Sequence, residues 1–111
     1  MAKKPQKTYQ LKVALKGAKP PIWRRFLVDS AVNLAEFHDV LQIVMGWRDS
    51  HLHLFTAYGV AYGIPDPEFD LEGVRDERKV KLAQLLRHEK DAMVYEYDFG
   101  DGWTHKITLE K

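Results

Sequence analysis

Hydrophobic and polar positions alternate from residue 8 to 16. Tyr9, Leu11, Val13 and Leu15 fall on one side, and Gln10, Lys12 and Lys16 on the other. A period of two predicts a strand with one buried face. Gly17, Pro20 and Pro21 then turn the chain, so 22–28 is predicted to run back antiparallel beside the first strand. This second strand is apolar on both sides. Ile22, Arg24, Phe26 and Val28 share one face, and Trp23, Arg25 and Leu27 the other. Two readings of the arginines stand side by side: their aliphatic stems lie over the sheet edge, or one guanidinium is held beside Trp23 to bind an anion or carboxylate.

At Asn33 the period lengthens to that of a helix. Asn33 with Glu36 three residues on forms a capping-box pattern. Leu34, Phe37, Leu41, Val44 and Met45 make the apolar stripe, with Val40 at its margin, and Gly46 suits the residue that ends the helix. His38 sits at the stripe's edge and reads as a boundary packing residue rather than a ligand. Alternation resumes at 51–58, with Leu52, Leu54 and Tyr58 on one face and His51, His53 and Phe55 on the other. Residues 59–79 hold Gly63, Pro65, Pro67, Gly73 and many charges, and read as a long loop. Leu82, Leu85 and Leu86 predict a short helix, with Lys81, Gln84 and Arg87 outward.

The last two strands, 93–99 and 103–110, are predicted to form a hairpin. A two-residue turn at Asp101 and Gly102 would set polar residues opposite aromatics. A three-residue loop instead pairs Phe99 with Trp103, Tyr97 with His105, Tyr95 with Ile107 and Met93 with Leu109, with Glu96 opposite Lys106 on the other face. That register separates apolar from polar and puts Gly102 where a left-handed residue is needed. It also sends Asp98 to the face opposite His105, which disfavours an Asp98–His105 catalytic pair. The predicted fold class is therefore α+β: an antiparallel sheet of about five strands in the chain order β-β-α-β-α-β-β, with one main helix and one short helix on a face.

Composition narrows the functional classes. The chain of 111 residues is 45% hydrophobic and 30% charged, consistent with one folded domain over 8–111 behind a basic, solvated arm, 1–7. The net charge of +1 does not by itself point to nucleic acid. There is no cysteine, which removes disulfides and thiolate chemistry and suits a reducing cytoplasm, the expected location. No apolar run approaches the ~20 residues that span a bilayer, so no membrane partner is expected. No nucleophile elbow or phosphate-cradling glycine loop is present, and no cofactor is expected.

The candidate chemistry gathers in 97–105, where Tyr97, Phe99, Trp103 and His105 stand with Asp98 and Asp101 between glycines. His51 and His53 are one pleat repeat apart and would reach one metal ion, with Asp98, Asp101 or His105 completing the set. The alternative is a solvated or partner-facing polar face. Asp101 between two glycines is most simply a turn residue, and Tyr97 and Trp103 are most simply hairpin-closing aromatics.

Three blocks carry a resemblance: Pro21-Ile22-Trp23-Arg24-Arg25; Met45-Gly46-Trp47 followed by His51-Leu52-His53-Leu54-Phe55; and Tyr97-Asp98-Phe99-Gly100-Asp101-Gly102-Trp103-Thr104-His105. In order and spacing the chain resembles the plasmid pRiA ORF-three-like family over roughly 8–110. The resemblance implies an α+β fold, no assigned reaction and an association with mobile DNA. It also implies that longer members run on into a Pro-Pro-Glu-Asp-Cys-Gly-Gly segment that this sequence does not contain, so a site drawing on that segment would be incomplete here. The first functional reading is a non-enzymatic binding or interaction domain whose surface uses Trp23, Arg24, Arg25, Trp47, His51, His53, Tyr97, Asp98, Asp101, Trp103 and His105. The second is a nucleic-acid-binding protein, with the basic arm and Arg24 and Arg25 on phosphate and exposed aromatics on bases. The third is a metal-dependent hydrolase built on His51 and His53. A homodimer through the second strand is a further expectation, because that strand is apolar on both faces.

Overall fold

The computed structural model describes residues 7–47, 52–64, 73–97 and 102–111. In chain order these form β1 (Thr8–Leu15), β2 (Ile22–Asp29), α1 (Leu34–Met45), β3 (His53–Ala57), β4 (Val60–Gly63), β5 (Val74–Asp76), a single 3-10 turn (Glu77–Lys79), α2 (Leu82–Leu85), β6 (Ala92–Tyr97) and β7 (Trp103–Leu109). The fold is α+β, with α1 the main helix. The strands make one seven-stranded sheet in the order β2-β1-β7-β6-β3-β4-β5. Neighbours are antiparallel except β4 and β5, which run parallel.

The expected sheet of about five antiparallel strands is thus corrected to a mixed sheet of seven. Both additional strands come from the stretch read as a loop, and they are too short to show a period. β4 returns from β3 through Tyr58 and Gly59, whose φ values of 51° and 77° are both positive, with Ala57 paired to Val60. This is the two-residue hairpin whose twist matches its strands. Tyr58 looks like a strand residue in the sequence and is a turn residue in the fold.

The hairpin register is also corrected. Tyr97 pairs with Trp103, Tyr95 with His105, Met93 with Ile107 and Glu96 with Thr104. The expected pairs are displaced by two residues, and the expected Phe99–Trp103 pair lies outside the described residues. An even displacement keeps every side chain on its face, so Tyr95, Tyr97, Trp103 and His105 still share one side. The register is held from both flanks: β7 pairs Leu109 with Leu11 and His105 with Leu15, while β6 pairs Tyr97 with His53. Gly102 is left-handed, at φ 72°, as expected.

Helix α1 forms where its caps place it. Asn33 Oδ1 accepts the Glu36 amide at 2.8 Å, and Glu36 Oε1 accepts the Asn33 amide at 3.0 Å. Gly46 ends the helix at φ 77°. Asn33→Ala is expected to cost about 1 kcal/mol, read as a lower urea midpoint with an unchanged slope. The helix lies on the inner face of the sheet. Leu34, Phe37 and Leu41 meet Leu11, Val13, Phe55, Tyr95 and Ile107, all fully buried. Phe37 joins the two layers, with its ring 6.4 Å from Phe26 and 5.9 Å from Phe55. The buried stripe is rotated from the predicted one. His38 and Gln42 are buried, whereas Val44 and Met45 are only partly so. The reason is polar: both buried residues reach the Tyr95 hydroxyl.

Candidate functional site

Polar side chains are seldom buried without partners. Among the described residues the buried polar side chains are Ser30, His38, Gln42, His53, Glu77 and His105; His38, Gln42, His53 and His105 surround Tyr95, and Glu77 joins them through His53. His53, from β3, is buried on the core side next to Phe55, not on a solvated face. Its Nε2 donates to Glu77 Oε1 at 2.5 Å, and both side chains are 3% exposed. The His38 ring, from α1, lies flat on the His53 ring, with centroids 3.6 Å apart and planes within 10°. His38 Nδ1 is 2.7 Å from the Tyr95 hydroxyl, which also accepts from Gln42 Nε2 at 2.8 Å.

The same tyrosine links this group to a second one. The Tyr95 backbone carbonyl only accepts, so His105 Nδ1 donates to it, at 3.1 Å. The Trp47 indole only donates, so His105 Nε2 accepts from it, at 3.2 Å. These partners define a neutral imidazole, and burial pushes the His105 pKa down. Trp47, just past the end of α1, also stacks on Tyr97 with centroids 5.7 Å apart and leans on Trp103 at 5.6 Å.

A cleft of about 390 Å³ is lined by His38 and His53 together with Ala35, Asp39, Ile64, Glu77 and Arg78. No buried side-chain nitrogen or oxygen among the described residues lacks a hydrogen-bond partner. His53 and Glu77 bond through one atom each, which leaves His53 Nδ1 and Glu77 Oε2 outside that bond, and both residues line the cleft. Arg78, at the rim, is folded onto Asp76 with contacts of 3.0 and 2.9 Å. Its hydrogen bonds hold the Asp76 carboxyl at about 2.

The predicted site residues divide. Trp47, His53, Tyr97, Trp103 and His105 converge on the inner face of the sheet. His51, Asp98 and Asp101 lie outside the described residues. Trp23, Arg24 and Arg25 are elsewhere: β2 is four strand spacings from β3, about 19 Å at the usual spacing. The arginines point to opposite faces of the sheet. Arg24 donates to the Trp23 carbonyl, and Arg25 makes a two-pronged pair with Glu110 at 2.6 and 3.0 Å. Arg25 and Lys12 both stand over the half-exposed Trp23 ring, at 5.2 and 5.0 Å from its centre.

Hydrogen bonds from Arg25, and then Gln10, hold the Glu110 carboxyl at about 2, below its ordinary 4.5. A depressed carboxyl supports the fold above pH 4.5, and that support fades as pH falls toward 2. Arg25→Gln is expected to move the Glu110 midpoint upward in a carbon-detected NMR titration; an unmoved midpoint removes the pair as its cause.

The sequence reading missed His38, Gln42, Tyr95 and Glu77 as site residues. The signal for the first two is a polar pair one turn apart on the flank of an apolar stripe. Glu77 gives none, because it falls in the stretch read as loop.

The family model for "Plasmid pRiA4b ORF-3-like protein" matches residues 7–111. The chain belongs to this family. A relative in Sinorhizobium fredii (strain NBRC 101917 / NGR234), the uncharacterized protein y4hQ, is 40% identical over 103 residues, which is 92% of this chain and 53% of the relative. The crystal structure of a protein of unknown function, MM3350 from Methanosarcina mazei Go1, superimposes with a TM-score of 0.83 at 35% identity. That match covers 96% of this chain and 61% of the other. The chain thus spans between half and two thirds of the length of these relatives. No reaction is assigned to these family members by name. Of the three blocks that characterise the chain, the second and third supply the described cluster around Trp47, His53 and His105, and the first forms the distant edge strand.

Proposed function

We propose that this family member is a binding domain, and that its ligand is a small polar molecule held in the cleft over His38, His53 and Glu77. The single observation behind this reading is the buried His53–Glu77 bond lining an open cleft, with one polar atom of each partner outside that bond. A cleft of about 390 Å³ is at the small end of ligand pockets. Among the described residues its walls contain no serine, threonine, cysteine or lysine that would act as a nucleophile, which favours binding over covalent catalysis.

The test is NMR of the folded chain, titrated separately with millimolar n-butylamine, butyrate, n-butanol, inorganic phosphate and zinc ion. Saturable shifts gathered on Ala35, Asp39, His53, Ile64 and Arg78 with any one of these support the reading. Silence at those positions with all of them ends it.

The metal-dependent hydrolase reading needs three or more donors around one ion, and the described residues form no such group; zinc in the panel tests it. The nucleic-acid reading would use Trp23 with Lys12 and Arg25 on the outward sheet face, but Arg25 is engaged by Glu110 and Arg24 faces away. It would be supported by DNA or RNA affinity that falls steeply with salt. A second copy pairing along β2, where Ile22, Trp23 and Leu27 are exposed, is proposed on the same footing, and a monomer mass by light scattering at micromolar concentration would dispose of it.

A further inference from the structure

Resting on the binding reading above, we infer that the ligand presents an aliphatic ammonium group. The cleft offers hydrogen-bond acceptors and an excess of negative charge. Glu77, whose Oε2 lies outside the bond to His53, and Asp39 both line it. Among the described lining residues the one cation is Arg78, whose guanidinium is held in two hydrogen bonds by Asp76. Among the described lining residues, Asp39 and Glu77 therefore carry charge that Arg78, already paired with Asp76, does not neutralise. An anion entering here would meet uncompensated like charge, and a neutral alcohol would leave the carboxylates unneutralised. An ammonium head supplies three donors and one positive charge.

The walls select the rest of the molecule. Ile64, largely exposed, and Ala35 present apolar surface at the mouth. A short methylene stem would cover that surface while its head reaches the floor, as lysine stems do on protein surfaces. A bare metal ion has no use for these walls.

The experiment compares n-butylamine and Nα-acetyl-lysine methylamide with butyrate, n-butanol and zinc, by NMR titration of the wild type and of Asp39→Asn. Asp39 is exposed on α1, so its amide variant is expected to fold. Both amines should saturate the cleft positions, butyrate should not compete, and Asp39→Asn should weaken the amines about fivefold, as loss of one near-surface charge contact does. Binding by the lysine derivative alone identifies a peptide-borne ammonium, and by butylamine alone a free amine; either agrees with the inference. Binding of butyrate, butanol or zinc with the amines silent overturns the ammonium assignment and leaves the cleft a binding site. Amine affinity that is unchanged in Asp39→Asn also overturns it. If no compound moves the cleft, the binding reading itself fails.

Discussion

Replacing Glu77 with alanine is expected to cost about 2–4 kcal/mol, from a buried histidine donor left without its acceptor and from the cavity left behind. Glu77 is 2% exposed and takes the Nε2 proton of a histidine that is itself buried. Without it, the His53 donor faces a cavity, and the stacked His38 loses a neighbour held in place. A domain of this size has roughly 5–15 kcal/mol of stability in all, so the variant should be close to unfolding at body temperature. Glu77→Gln keeps the volume and one acceptor oxygen and should recover more than half of that loss. Urea unfolding followed by far-UV circular dichroism gives both numbers. A cost below about 1 kcal/mol for the alanine variant, the range of an ordinary surface change, would show that the 2.5 Å contact does not hold the interior together.

His105→Ala should cost about 2–4 kcal/mol, combining a ring-sized cavity with two deserted partners. The ring is fully buried, and it accepts from the Trp47 indole while donating to the Tyr95 carbonyl. The Trp47 indole proton resonance should therefore move with the substitution while that of Trp23, on the far edge, stays. The pH dependence gives a second check. Burial lowers the His105 pKa below its ordinary 6.5. As pH falls through 6.5 the unfolded chain takes up a proton before the folded one does, so stability is full above that value and declines below it. The variant lacks this site, and its decline below pH 6.5 should be shallower than that of the wild type.

Much of the architecture is legible in the alternation of residues. The capping box at Asn33 and Glu36, the glycine at 46 and the strands at 8–15, 22–29 and 103–109 all follow from local rules that tertiary contacts reinforce. What escapes is what depends on neighbours. β4 and β5 have four and three residues and exist because an adjacent strand pairs with them. The hairpin settles two residues from its best isolated register because β1 and β3 grip its outer sides. The site follows the same division. His53, Trp47 and His105 stand out as residue types. His38 looks like the margin of a helix until the Tyr95 hydroxyl gives it a reason to be inside, and Glu77 has no local mark at all.

The polar chain from Glu77 through His53, His38 and Tyr95 to His105 draws on β3, the turn after β5, α1, β6 and β7. Its members are spread from position 38 to position 105 of the sequence. No peptide excised from this protein would therefore carry the cleft, and grafting one loop onto another scaffold would not transplant it. The cleft is assembled only when the whole sheet is, so ligand occupancy in a cell extract would count folded molecules, and any compound that fills it would double as a stabiliser, by an amount that grows with the logarithm of its concentration over its Kd.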